Sequence, residues 1–226
     1  MPRSRTGHCS GTWGGSSGST IGTKFQNNAV ITKFNELILF TNVRTLEHTF
    51  IGCKELTSLN ADNIVQTNSS PFQNATKLIR VSSTVDGVAF FKSLETFNNP
   101  GFIFNNMKLR KYFFPSMKSQ GNTSTPFRGS GADLVDFGPN TTSIRGNYLA
   151  PSIIVCRSEE PPTLIIAPTV SLYIFVPSNS VTIYKEASVW SDLGTKIKAI
   201  GGEEWVTVFG SSDEYADYDL YGVPHS

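Results

Sequence analysis

Catalysis at neutral pH draws chiefly on histidine, cysteine and carboxylates tuned by their surroundings, and this chain offers few of each. Its histidines are His8, His48 and His225, and its cysteines are Cys9, Cys53 and Cys156. His8 and Cys9 fall in a Gly/Ser-rich leader. His48 reads as an exposed residue between apolar positions, and His225 sits next to the chain end. Cys53 and Cys156 lie in apolar runs, where a thiol behaves as a small buried hydrophobe. Without a CxxC pair the three cysteines suggest neither a zinc site nor a disulfide framework.

The acidic residues are equally unpromising for chemistry. Glu159 and Glu160 are adjacent, so they point apart in an extended segment before Pro161 and Pro162, which suits a turn better than an acid/base pair. Asp213, Glu214, Asp217 and Asp219 cluster near the end but lack the DxDxDG loop and closing glutamate of a calcium site. GSGAD at 129–133 is a glycine-rich turn without the lysine or the GxGxxG frame that phosphate binding needs. The sequons at Asn68, Asn74, Asn122 and Asn140 read as turn residues of an Asn/Ser/Thr-rich chain. These observations point away from an enzyme and imply no cofactor and no metal.

Whatever positions such residues must be a repeated element. Leu46, Phe50, Cys53, Leu56 and Leu59 form an apolar ladder with a step of three after an initial step of four. It returns as Phe72, Ala75, Leu78, Val81, again as Val88, Phe91, Leu94, Phe97, and more loosely as Ile103, Asn106, Leu109, Tyr112. A period near three fits neither a helix nor an alternating strand. It fits short strands running into tight arms that drop side chains into one column. Such self-similarity is the mark of a stacked solenoid, in which no unit buries its apolar face alone. With Leu56, Leu78, Leu94 and Leu109 as equivalent points, the units are uneven and partly truncated.

The expected organisation is a leader over 1–20, a repeat domain over 21–200 and an acidic tail over 201–226. Within the domain, 21–45 would cap the first coil, with a short helix near Asn35–Phe40. Residues 46–156 would hold the repeats, and 157–200 a terminal coil and helical cap using Val181, Tyr184, Trp190, Ile197 and Ile200. From Gly201 onward the chain has Glu203, Glu204, Asp213, Glu214, Asp217 and Asp219 and no Lys or Arg. That tail suits either a solvated extension or head-to-tail attraction between subunits. The repeat core is expected to fold without residues 1–20 and 201–226.

The phrases TFIGCKELTSL, VDFGPNTTSI, IIVCRSEEPPTL and YIFVPSNSVTIYKEASVWSDLGTKIKAI resemble the BspA-like leucine-rich repeat family, found in surface proteins of gut and oral anaerobic bacteria and in related phage proteins. The resemblance spans roughly residues 30–200, and its C-terminal half is the more distinctive. The middle repeats are irregular, and the first 20 residues and those after Ile200 fall outside the pattern. The resemblance implies a mostly-β α/β repeat solenoid, an irregular leucine-rich repeat stack closed by a C-terminal strand-helix cap. It implies binding, through adhesion or as part of a phage particle, and carries no site residues.

Composition adds the remaining expectations. The formal net charge of +1 provides no electrostatic case for nucleic acid. No apolar run is long enough for a membrane span, and the start lacks the apolar core of a signal peptide. Sixteen Phe, seven Tyr and three Trp exceed what small coils need. Phe97, Phe102, Phe113, Phe114 and Phe127 therefore read either as core filling or as an exposed aromatic strip beside variable loops. The expected function is a non-enzymatic interaction protein on a virion or cell surface that binds protein or glycan, with neighbouring subunits as further partners. The alternative is a secreted bacterial adhesin whose export signal is missing from this chain.

Overall fold

The computed structural model describes residues 20–98, 103–121 and 125–225. Among these, strands pair only in parallel, in two sheets. Sheet one has seven two-residue strands: β1 (Thr20–Ile21), β3 (Thr45–Leu46), β5 (Gln66–Thr67), β8 (Thr96–Phe97), β10 (Ser119–Gln120), β12 (Ser143–Ile144) and β14 (Thr163–Leu164). Sheet two has nine: β2 (Lys33–Phe34), β4 (Ser58–Leu59), β6 (Arg80–Val81), β7 (Val88–Phe90), β9 (Lys111–Phe114), β11 (Leu134–Phe137), β13 (Ile153–Cys156), β15 (Tyr173–Val176) and β16 (Ile197–Ala199). The chain alternates between the sheets except from β6 to β7 and from β15 to β16, where it returns to sheet two. The architecture is a mostly-β, repeat-like fold with few helices.

Spacing in sequence becomes stacking in space. Thr20, Thr45 and Gln66 pair in register, as do Tyr112 with Val135 and Val135 with Ile154. Ion pairs recur between successive units at separations of 22 and 23 residues: Lys77–Glu55, Lys118–Glu95 and Arg110–Asp133. Thr20–Ile21 and Lys33–Phe34 supply β1 and β2 in register with the strands that follow. The expected helix near Asn35 is a 3₁₀ turn, Asn35–Leu39.

The apolar ladder belongs to two different arms. Leu56, Leu78 and Leu109 precede strands of sheet two, whereas Leu94 precedes β8 of sheet one. The four are therefore not equivalent points. Both arms are tight turns that bury one residue in three, so they look alike in sequence. On the arm entering sheet two, Phe25, Phe50, Phe72, Phe104 and Phe127 each stand two residues before a left-handed backbone position: Asn27, Gly52, Asn74, Asn106 and Gly129. Asn and Gly tolerate that conformation best. It turns Asn106 outward and leaves Met107 to fill the column.

Alternation along sheet two separates two cores. Val81, Ala89, Tyr112, Phe114, Val135, Phe137, Ile154 and Cys156 point into the space shared with sheet one. Val88, Phe90, Phe113, Leu134, Ile153, Val155 and Phe175 point to the other side. There they meet Trp205 and Phe209 of α2 (Glu203–Phe209), Ala216 and Tyr218 of α3 (Ala216–Leu220), and Val223. A strand buried on both faces reads as a continuous apolar run, which accounts for YIFV and IIVC. At the end of the stack, α1 (Val181–Glu186) and the following 3₁₀ turn place Tyr184 and Trp190 over the first core, with Lys185 and Glu186 exposed.

The acidic tail is thus not a solvated extension. Trp205 and Asp217 are 0% exposed and Tyr218 is 1% exposed. Its aromatic residues cover apolar surface that sheet two otherwise presents to water.

Candidate functional site

Three strongly perturbed ionisable groups, Asp136, Arg157 and Tyr218, meet where the C-terminal segment crosses sheet two. Asp136, in the middle of β11, faces away from the first core, and Arg157 follows β13 directly. The guanidinium bonds Asp136 Oδ2 from Nε at 2.9 Å and Asp217 Oδ1 from Nη2 at 2.7 Å. Its Nη1 donates to the backbone carbonyl of Glu214 at 2.7 Å. The rings of Tyr215 and Tyr218 lie 4.8 and 4.7 Å from the guanidinium carbon, so cation–π contacts complete the enclosure. The Arg157 side chain is 8% exposed, and those of both carboxylates are 0%.

Burial dominates the electrostatics. Loss of water pushes the Asp136 carboxyl well above the usual carboxylate range, opposed by Arg157 and reinforced by Asp217. Desolvation alone would lower the Arg157 pKa, but Asp136 and Asp217 outweigh it and raise it. Tyr218 is raised by burial and by Asp136. The cluster fastens one segment to another. Beside it, an open cleft of about 510 Å³ is lined by Arg157, Glu159, Ser178, Asn179, Glu214 and Tyr215 among others. A second cleft of about 560 Å³, farther along sheet two, presents Lys33, Asn35, Ser58, Asn60, Arg80 and Ser82.

The residues singled out in the sequence do not converge. Phe97, Phe114 and Phe127 lie in the first core with at most 3% exposure, and Phe113 lies in the second at 0%. They form no exposed strip: Phe113 faces the C-terminal segment, and the other three face the space between the sheets. Phe113 packs edge-on against Tyr218 at 5.1 Å. Phe102, His8, Cys9 and Asn122 lie outside the described residues. His48, Glu159 and Glu160 are exposed, and His225 bonds Asp219 at 2.9 Å. Cys53 Sγ donates to the Phe25 carbonyl at 2.9 Å, while Cys156 receives the Tyr184 hydroxyl at 3.2 Å. GSGAD forms a turn with left-handed Gly129 and Gly131, beside the Arg110–Asp133 pair.

Sequence reading missed Arg157 and Asp136. The available signal was Asp136 itself, a single acid within the apolar strand LVDF, which burial obliges to find a partner. Among the described residues no group of three or more His, Cys, Asp or Glu could hold a metal ion, and no helix is long and apolar enough to cross a membrane. No protein-family model matches the chain, and no curated protein matches it.

Proposed function

We propose that this chain is a non-enzymatic interaction protein, an irregular leucine-rich repeat solenoid of the BspA-like type, displayed on a virion or cell surface and binding protein or glycan. The observation that carries the reading is the difference between the two outer sheet faces. From β7 to β15 the outward face of sheet two is covered by the chain's own C-terminal segment, whereas Lys33 of β2 is exposed. On sheet one the positions alternating with the core are Thr20, Thr45, Gln66, Thr96, Ser119, Ser143 and Thr163, a column of hydroxyl and amide groups. In-register strands repeat such groups about every 4.8 Å. Along this column Thr163 is exposed, Thr20, Gln66, Thr96, Ser119 and Ser143 are half-buried, and Thr45 is buried. A flat row of neutral donors and acceptors matches a polyhydroxylated or extended polypeptide ligand. The buried Asp136–Arg157–Asp217 cluster, which ties two segments together, supports a structural rather than a catalytic role for these charges.

The test is binding of the purified chain to arrays of bacterial and host glycans and surface proteins, alongside Thr96→Arg and Ser119→Arg variants. Retention on a defined ligand class, lost by at least tenfold in both variants while the fold persists, supports the reading. Binding unchanged by both substitutions would remove sheet one as the recognition face. Mass spectrometry of purified particles or cell-surface fractions tests the display.

A further inference from the structure

The tie between the C-terminal segment and sheet two has an imbalance of charge. One guanidinium serves two carboxylates that have no exposed surface. Asp136 Oδ1 and Asp217 Oδ2 are both buried without a hydrogen-bond partner. Two ionised carboxylates would leave two unsatisfied acceptors and a net negative charge where water is excluded, a costly arrangement. A single proton held between the two carboxyls, which interact by hydrogen bonding, leaves one negative charge to balance the guanidinium and makes the cluster neutral.

The segment has a route to movement. Gly201, with φ +76°, and Gly202 join β16 to α2. The remaining attachments are apolar contacts such as Trp205 on Phe175, with centroids 5.1 Å apart, and half-exposed contacts such as Lys198–Glu204 and Lys111 over Tyr221. Beneath the segment lie Phe90, Phe113, Leu134, Val155 and Phe175.

We infer that residues 203–225 form a pH-sensitive latch: a proton shared by Asp136 and Asp217 holds the segment over the apolar outer face of sheet two, and its loss with rising pH frees the segment and uncovers that face. The sign follows from linkage. A carboxyl whose pKa is raised in the latched state contributes fully below its unlatched value, and that contribution is lost as pH climbs through the latched value. The latch is closed in acid and loosens toward alkaline pH. Other ionisable groups around the cluster are the Cys156 thiol across the sheet, Glu159 and Glu214 at the cleft, the Tyr215 and Tyr218 hydroxyls, and His225, which stacks on Tyr215 at 4.9 Å and pairs with Asp219.

Hydrogen exchange of the full chain, corrected for intrinsic rates, measures the latch between about pH 5.5 and 9. Protection of 203–225 should fall by up to about tenfold per pH unit between the carboxyl's unlatched and latched pKa values and level off above the latched one, while β11 and β13 keep theirs. Asp136→Asn and Asp217→Asn each remove the shared proton from the balance and should flatten the profile. His225→Gln should leave the fall in place. The inference is overturned by wild-type protection that stays constant over this range, by folded asparagine variants that keep the wild-type slope, or by a slope that disappears in His225→Gln. The wild-type profile decides the matter even if either asparagine variant does not fold.

Discussion

At the residue scale, closeness of backbones sets the limits. A Cβ added at Gly138 would stand 1.9 Å from the Pro115 carbonyl oxygen, a backbone atom that cannot swing away. Gly138 needs no left-handed backbone, so the constraint is purely one of space. At Gly22 no atom of the described residues lies within 4 Å of the same added atom. Gly138→Ala should therefore cost about 1–3 kcal/mol, and Gly22→Ala should stay within about 0.5 kcal/mol or stabilise slightly, both measured by urea unfolding. A comparable loss in the two variants would contradict the packing of β11 against β9. The buried thiols yield a second expectation. Burial pushes Cys156 up to about 12 and raises Cys53 as well. Only the thiolate reacts with alkylating reagents, so at about pH 8 both should resist iodoacetamide in the native chain and react on unfolding. Peptide mass mapping after a brief pulse distinguishes this from ready labelling of the folded protein.

At the element scale, the C-terminal segment is the part whose role changes most between sequence and structure. Its acids suggested solvation, yet Trp205, Phe209, Tyr218 and Val223 form one side of a core. Deleting residues 203–226 should expose Phe90, Phe113, Leu134, Val155 and Phe175, a continuous apolar patch of the kind that drives association. It should also leave Arg157 and Asp136 without Asp217 and the Glu214 carbonyl. The expected outcome is self-association in sedimentation velocity and strong binding of a hydrophobic dye. A stable, dye-negative monomer would restore the solvated-tail view. The inward ladder was legible in sequence because each of its residues, from Leu46 to Leu59 and Phe72 to Val81, is buried by its own local turn. The second core was not, because its partners are separated by long stretches of chain: Phe113 meets Tyr218, and Arg157 meets Asp217 at a separation of 60 residues. Local periodicity carries no record of such pairings. The same limit let Leu94 pass as equivalent to Leu78, since two arms with similar turns have the same spacing although they lead to different sheets.

At the scale of the whole molecule, each strand pairs only with its immediate neighbours in a sheet. Stability should then be a sum of unit and interface contributions, and a defect should be felt most near its own unit. Two phenylalanines test this. Phe114 is 0% exposed in mid-stack, with Phe91, Phe97, Phe127 and Phe137 at ring-centroid distances of 5.5, 5.4, 6.1 and 6.2 Å. Phe25 stands near the first strands, 8% exposed, with Phe34 at 4.7 Å and Phe50 at 5.5 Å. Phe114→Ala opens a cavity enclosed on both sides and should cost about 3–5 kcal/mol, lowering hydrogen-exchange protection in the units before and after it. Phe25→Ala should cost less, because among the described residues β1 and β2 stand last in their sheets and can loosen without breaking the pairings beyond their neighbours. Its increased exchange should be confined to roughly residues 20–46, while β11, β13 and β15 keep wild-type protection, held by the cap residues Tyr184 and Trp190 at the opposite end. If Phe25→Ala instead lowers protection equally along the whole chain, the fold is a single cooperative unit, and the second core beneath the C-terminal segment, which joins strands from β7 to β15, is the element that makes it so.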